Sequence, residues 1–319
     1  MIYFFTFMMS LVIMLLITPK LTKLAYKLNY TEKPNLDSDR KIHREDKAYL
    51  AAIGIFLSFW VCYFIFTRDF SQKTIALLIS SFLIWAIGML DDWYKIKGGD
   101  FKALPKMAIQ ILACLIVVFY TNIKFSGITN PFNNSYILFP SWVQFLLSIL
   151  WLFGVTTVIN FSDGLDGLAG GIACISASTL FVVSMSKGNS ISAIMSITLV
   201  GTCLGYLRYN KYPAKILMGD AGATFLGFIL AIISLDGAFK QATVFSIFIP
   251  ILALGLPIFD NIFVVLKRIK EGKHIYVGDA SQIHYRLISK GLNQKQAVYF
   301  LYLICICLNL SAIIILLLV

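Results

Sequence analysis

Long apolar runs alternate with short polar ones along the whole chain. The runs fall at roughly 2–18, 49–66, 74–90, 106–121, 143–159, 169–186, 191–207, 221–235, 243–266 and 296–318. Each is close to the ~17–25 residues that a helix needs to cross hydrocarbon. The pattern predicts an all-α polytopic membrane protein with about ten transmembrane helices. The runs at 169–186 and 221–235 are rich in Gly, Ala and Ser. Small side chains let helices approach closely, so these two are expected to face other helices rather than lipid. No repeat or low-complexity tract interrupts the pattern, and residues 1–319 read as one integral membrane domain. The first run has no small-residue cleavage site and further spans follow it, so it is expected to persist as a helix.

Composition narrows the class. With 59% hydrophobic and 13% charged residues, a chain of 319 residues lacks the polar surface of a soluble domain. The net charge of +11 would suit a nucleic-acid partner, but its placement points elsewhere. If the N-terminus is outside, the inner segments are 19–48, 91–106, 160–168, 208–220 and 267–295. They hold 22 of the 27 Lys and Arg, and only Arg68, Lys73, Lys124, Lys187 and Lys240 fall outside. Such a bias is the positive-inside signature. It predicts a multi-pass protein of the cytoplasmic (inner) membrane, with no nucleic-acid partner. The six cysteines all sit in apolar runs, without disulfide or metal spacing, and read as small buried hydrophobes.

The acids then sort themselves. Asp91, Asp92, Asp163, Asp166 and Asp220 lie at inner ends of spans, in GMLDDWYKIKG, NFSDGLDGLAGG and MGDAGATFLGF. One such acid would ordinarily be a solvated loop residue. Five on one membrane face, flanked by glycine and aliphatic side chains, favour a site, because charge at membrane depth is costly. Hard cations such as Mg²⁺ take oxygen ligands and keep bound phosphates. Glycine lets backbone N–H groups approach phosphate, and helix N-termini favour anions. The pattern therefore suggests a Mg²⁺-dependent phosphate site at the cytoplasmic surface. Asn160, Asp163 and Asp166 are spaced by three, which predicts a shared face of a helix or turn. Adjacent Asp91 and Asp92 cannot share a face, so one is expected to meet the metal or nucleophile while the other bonds to a neighbouring group.

Of the nearby cations, Lys95, Lys97, Lys102, Lys211 and Lys215 read as ordinary inner-face charge. Lys106 differs, because it opens an apolar span beside Pro105. His284 and Arg286, in SQIHYRL, are candidates for binding phosphate; His274 and His43 lie in similar inner loops. Asp260 falls inside the ninth run, where function and a structural hydrogen bond to a neighbouring helix both stay open. An ion-coupled transporter is the rival reading, but it would place its acids near the bilayer midplane.

Together these segments resemble the polyprenyl-phosphate N-acetylhexosamine-1-phosphate transferases. The likeness covers nearly the whole chain in order: KPNLDSDRKIH, GMLDDWYKIKG, NFSDGLDGLAGG, RYNKYPAKILMGDAGATFLGF, LGLPIFDNIF and SQIHYRL. The resemblance implies about ten transmembrane helices, an outside N-terminus and a cytoplasmic active site. It also implies transfer of a sugar 1-phosphate from a UDP-N-acetylhexosamine to a polyprenyl phosphate such as undecaprenyl phosphate, giving a polyprenyl-diphosphate sugar and UMP. That would be the first membrane step of a cell-envelope glycan. By position, Asp220 would be the main ligand of Mg²⁺ (or Mn²⁺), with Asn160 a second. Asp91 or Asp92 would orient or deprotonate the lipid phosphate, and Asp163 would support the metal or the diphosphate. Asp166, Asn210 and Leu217 match positions that face the nucleotide. Lys106 would pair with a phosphate, and His284 would bind the diphosphate or sugar, with Arg286 beside it. A homodimer is compatible with this reading.

Two positions depart from the family pattern. Thr157 stands where a second Asn is usual, three residues before Asn160. The last loop reads Gln282, Ile283, His284, Tyr285, where the N-acetylglucosamine branch has three histidines and the muramyl-pentapeptide branch a run of them. A modified sugar, such as a 6-deoxy-N-acetylhexosamine, is therefore entertained alongside N-acetylglucosamine.

Overall fold

A computed structural model describes residues 1–32, 46–99, 101–130, 135–237, 245–272 and 281–318. The whole of KPNLDSDRKIH, with His43, and His274 lie outside the described residues. The chain is helical almost throughout: α1 (Ile2–Lys27), α2 (Ala51–Thr67), α3 (Gln72–Ile96), α4 (Ala103–Tyr120), α5 (Ser141–Phe161), α6 (Leu168–Ser186), α7 (Ser190–Asn210) and α8 (Gly219–Gly237) come first. A 3-10 turn at Phe245–Ile247, α9 (Phe248–Ala253), α10 (Gly255–Lys270), α11 (Ile283–Ser289) and α12 (Gln294–Leu318) follow. Two short antiparallel pairs complete the described residues: β1 (Thr31–Glu32) with β2 (Lys47–Ala48), and β3 (Gly127–Thr129) with β4 (Tyr136–Leu138).

Among the described residues, α1, α3, α4, α5, α6, α7, α8 and α12 are long and apolar enough to cross a membrane, and α2 is a shorter apolar helix of 17 residues. The fold is that of an all-α polytopic membrane protein. The ninth predicted span is corrected: 243–266 is not one helix but breaks at Leu254, between α9 and α10. Pro257 explains the break. It has no N–H to offer the Ala253 carbonyl four residues earlier. That carbonyl instead accepts from Ser176 Oγ at 2.6 Å and Asn309 Nδ2 at 3.2 Å, donors on α6 and α12. A freed backbone group is tolerated at membrane depth only when neighbouring helices satisfy it.

Helix α8 forms the centre, packed against α5, α3, α6, α2 and α7. Every residue of α8 except Asp220 is buried, as expected of a helix that is apolar on all sides. The small residues of α6 and α8 face helices, as their composition predicts; α1 and α12 are the least buried of the eight long apolar helices. The approach of α3 to α8 is close: a Cβ on Gly88 would lie 2.4 Å from the Ala221 Cα. That contact lays the last turn of α3 beside the first turn of α8. At the other end of the bundle, the buried Asp236 of α8 meets Lys73 (3.4 Å), Asn189 Nδ2 (3.0 Å) and Ser192 Oγ (2.9 Å). Five of the six cysteines are buried as predicted, but Cys307 is exposed on α12.

Candidate functional site

The end of α3, the start of α4, the end of α5 and the start of α8 converge on one cluster. Asp91 and Asp220 share two ammonium groups. Lys95 Nζ lies 3.1 Å from Asp91 Oδ2 and 2.9 Å from Asp220 Oδ1. Lys106 Nζ lies 2.6 Å from Asp91 Oδ2 and also bonds to Asp220 Oδ2. Asn160 Nδ2 approaches Asp220 Oδ2 at 3.4 Å. Two carboxylates from different helices thus aim at one cation position, which lysine fills here. Lys95 owes its place to the i,i+4 spacing from Asp91 on one helix face. That spacing was the available signal, and reading Lys95 as ordinary inner-face charge passed over it.

Adjacent Asp91 and Asp92 part ways, because α3 turns their side chains to different neighbours. Asp92 Oδ1 accepts from the Asp220 N–H at 2.9 Å and its Oδ2 from the Ala221 N–H at 3.0 Å. It therefore caps α8, satisfying donors that a helix N-terminus leaves open. Gly219, at φ +62°, lets the chain enter that cap: a Cβ there would sit 2.5 Å from Asp92 Oδ2 and 2.6 Å from Tyr49 Cε1. Tyr49, which no sequence signal marks, lines this side, and burial and the Asp92 charge push its phenol up, so it stays neutral.

The segment from Ser162 to Gly167 is a turn between α5 and α6, not a helix. Of the three residues expected on one face of a helix or turn, Asn160 and Asp166 take different partners, Asp220 and Lys47. Asp163, half-buried, is pushed well above the usual carboxylate range by burial and by the charges of Asp220 and Asp92. Asp166 points elsewhere: Lys47 Nζ holds both its oxygens at 2.8 Å, and the Ala214 N–H donates to Oδ2 at 2.9 Å. Asn210 is likewise engaged, accepting from the Gly167 N–H and donating to the Ile216 carbonyl, both at 2.9 Å. The Leu217 N–H donates to the Ala48 carbonyl at 2.8 Å. These three positions and Lys47 knit the segments around 47, 166 and 210–217 into one wall beside the cluster. Lys47 gave no sequence signal, because its partner is 119 positions away. Thr157 Oγ1 donates to the Phe153 carbonyl of its own helix at 2.8 Å, so its hydroxyl is not offered to the cluster.

His284 is brought to the Asp163 loop. Its ring lies against Gly164, where a Cβ would fall 2.1 Å from Nε2, and that nitrogen is buried without a hydrogen-bond partner. Burial lowers its pKa to about 4, so the imidazole is neutral. Arg286 is not drawn into the cluster. It bonds to Asp260 Oδ1 at 3.1 Å and lies 4.0 Å from the Phe263 ring centre. Both Asp260 oxygens also accept from the Ile283 N–H, at 2.9 and 3.0 Å. Of the two readings of Asp260, the geometry shows the structural one: it caps α11 and anchors Arg286.

Among the described residues no three His, Cys, Asp or Glu side chains group as a protein-only metal site would. Asp91 and Asp220 offer carboxylate oxygens around one cation position, with the Asn160 amide beside Asp220, a set that fits an ion completing its shell with phosphate and water.

A family profile described as Glycosyl transferase family 4 matches residues 74–238, a span that holds the whole cluster and both glycine-aspartate segments. A Bacillus subtilis protein is 36% identical over 308 residues, covering 97% of this chain and 83% of its own length. The chain belongs to glycosyl transferase family 4. The Bacillus subtilis family member is called a probable undecaprenyl-phosphate N-acetylglucosaminyl 1-phosphate transferase. Another, from Mycobacterium leprae, is called a decaprenyl-phosphate N-acetylglucosaminephosphotransferase and is 28% identical over 293 residues, 83% of this chain and 72% of its own. A third, from Prochlorococcus marinus subsp. pastoris, is called a phospho-N-acetylmuramoyl-pentapeptide-transferase and is 29% identical over 308 residues, 92% of this chain and 84% of its own.

Proposed function

We propose that this family 4 protein transfers an N-acetylhexosamine 1-phosphate from a UDP-sugar to undecaprenyl phosphate at the cytoplasmic face of the membrane. The observation that carries the reading is the sharing of one lysine ammonium, that of Lys106, by Asp91 and Asp220. Reaction of a lipid phosphate with a sugar-linked diphosphate brings anions together, and the site must neutralise them. An oxygen of the lipid phosphate bonds to the β-phosphorus, and the bond to the bridging oxygen breaks and leaves with UMP. Mg²⁺, or Mn²⁺ in its place, would supply charge neutralisation at Asp91, Asp220 and Asn160. Lys95 and Lys106, exchanged off the carboxylates, are then within reach of the phosphates. Asp91 orients the incoming lipid phosphate, while Asp92 keeps the start of α8 in place. A lipid phosphate is already ionised near neutral pH, so no strong base is required. His284 and Asp163 border the same space, where the diphosphate and sugar would lie, and the wall of Asp166, Asn210 and Leu217 borders the nucleotide.

The names of the Bacillus subtilis and Mycobacterium leprae relatives support transfer of a phosphorylated N-acetylglucosamine to a polyprenyl phosphate; the donor we assign is a UDP-N-acetylhexosamine, and the product would enter cell-envelope glycan synthesis. The acids Asp91, Asp163 and Asp220 gather at one end of the bundle, where a lipid phosphate can reach them, and the opposite end holds only the compensated pair of Asp236 with Lys73 among the buried aspartates of α8. The test uses purified protein, undecaprenyl phosphate, Mg²⁺ and a panel of donors: UDP-N-acetylglucosamine, its epimers and 6-deoxy forms, and UDP-muramoyl-pentapeptide. The expected result is UMP release with one N-acetylhexosamine donor, abolished by EDTA and restored by Mg²⁺. No release with any donor, from folded protein, would overturn the proposal.

A further inference from the structure

A cavity of about 190 Å³ opens behind the Asp166–Gly167 turn, between that turn, the end of α7 and the start of α12. Its lining includes Lys211, Tyr212, Lys295, Tyr299 and Tyr302. Lys211 and Lys295 are exposed and, among the described residues, pair with no carboxylate; Lys295 sits 5.6 Å from the centre of the Tyr212 ring. Asp166 also borders the cavity, but its charge is compensated by Lys47 and by the Ala214 N–H. The Tyr302 hydroxyl donates to the Gly167 carbonyl at 2.5 Å, which commits its proton to the turn and closes the floor. The cavity therefore presents two cations and phenolic donors, with its one acid already neutralised.

Its surroundings select the source of an anion. From Tyr299, the outward face of α12 continues as an exposed apolar stripe through Leu303, Ile306, Leu310, Ile314 and Leu317, the length of the helix. The spacing of three and four residues keeps these side chains on one face. A hydrocarbon chain can lie along that stripe while a charged group reaches the cavity at its top. Basic pockets between helices at a membrane surface hold anionic lipid headgroups in this way, and Tyr and Lys are suited to the interface.

We infer that the cavity formed by Lys211, Tyr212, Lys295 and Tyr299 binds the phosphate of an anionic phospholipid headgroup, with the lipid chains on the outer face of α12. The bound headgroup braces the Asp166–Gly167 turn from behind, through Tyr302. It is separate from the Asp91–Asp220 cluster, and the inference does not depend on the reaction assigned to that cluster.

The experiment uses the full chain in nanodiscs of mixed phosphatidylglycerol and phosphatidylcholine. The lipid retained on extraction into detergent is counted by mass spectrometry. The wild type is expected to retain phosphatidylglycerol in preference to phosphatidylcholine. The double variant Lys211→Gln/Lys295→Gln is expected to lower that preference about thirtyfold, from the contribution of two lysines near an anionic surface. Lys20→Gln/Lys23→Gln, which removes two exposed lysines on α1, is expected to leave it unchanged. An unchanged thermal unfolding profile of the first variant shows that the cavity was altered in a folded protein; Lys295→Gln alone, with half the charge removed, replaces it if the double variant does not fold. Equal retention of both lipids by the wild type overturns the inference, and so does an equal loss in both double variants. Displacement of the retained lipid by millimolar inorganic phosphate would show a site for the free anion and overturn the lipid assignment.

Discussion

At the scale of single residues, Asp220 has the most concentrated role. It is the one residue of α8 that is not buried, and it meets Lys95, Lys106 and Asn160 at once. Asp220→Asn keeps the shape and removes the charge. Loss of UMP release by about a thousandfold is expected, the scale of losing a main electrostatic contact to a reacting group, with an unchanged unfolding temperature. Full Mg²⁺-dependent turnover in that variant would sink the assignment. His284 carries a second prediction. Its folded pKa, about 4, lies below the ordinary imidazole value of 6.5. The unfolded chain therefore takes up a proton that the folded protein refuses between those values. Stability is expected to be level above about pH 6.5 and to fall as pH drops toward 4, by an amount of order 3 kcal/mol. Chemical denaturation across that range checks it: His284→Gln should flatten the decline, and an equal decline in both proteins would place its cause elsewhere.

Elements explain how two neighbouring aspartates come to do different things. The α3–α8 contact at Gly88 fixes the rotation of α3, so that Asp92 faces the backbone at the start of α8 and Asp91 faces the lysines. The two are therefore expected to separate in experiment. Asp92→Ala removes the cap of α8 and should cost about 1–2 kcal/mol of stability. Asp91→Asn should leave stability nearly unchanged while UMP release is lost. Thermal unfolding and turnover measured side by side decide the matter; the reverse pattern would exchange their roles. Elements also account for the failed expectation of a single ninth span. Hydropathy reads 243–266 as continuous, and Pro257 can be accommodated in a helix when neighbours satisfy the freed carbonyl. Ser176 and Asn309 do so here, and the chain breaks at Leu254.

For the whole molecule, the charged cluster lies at one end of a bundle whose centre, α8, is apolar and buried. The Lys and Arg bias predicts that this end faces the cytoplasm. Cysteines placed at Lys97 and Lys187, at opposite ends of the bundle, test the assignment in intact cells. A membrane-impermeant maleimide is expected to label Lys187→Cys from outside, and Lys97→Cys only after permeabilisation. Labelling of Lys97→Cys in intact cells would invert the orientation.

Membrane residence, the helical class and the gathering of the acids from three segments were legible in the sequence. The bilayer is a uniform solvent whose thickness sets run length, and it drives charges to the ends of those runs wherever they have no partner. Asp91, Asp92, Asp163, Asp166 and Asp220 could thus be gathered from three segments before any contact was known. The partners of those acids could not. Which way a helix is rotated, and which distant side chain meets it, depends on packing that hydropathy does not encode. Lys47 reaching Asp166, Asp92 spending both oxygens on α8, and Asp260 capping α11 were decided only by the tertiary structure. In each case a buried polar group must find a partner, and the identity of that partner is set by which helices lie together.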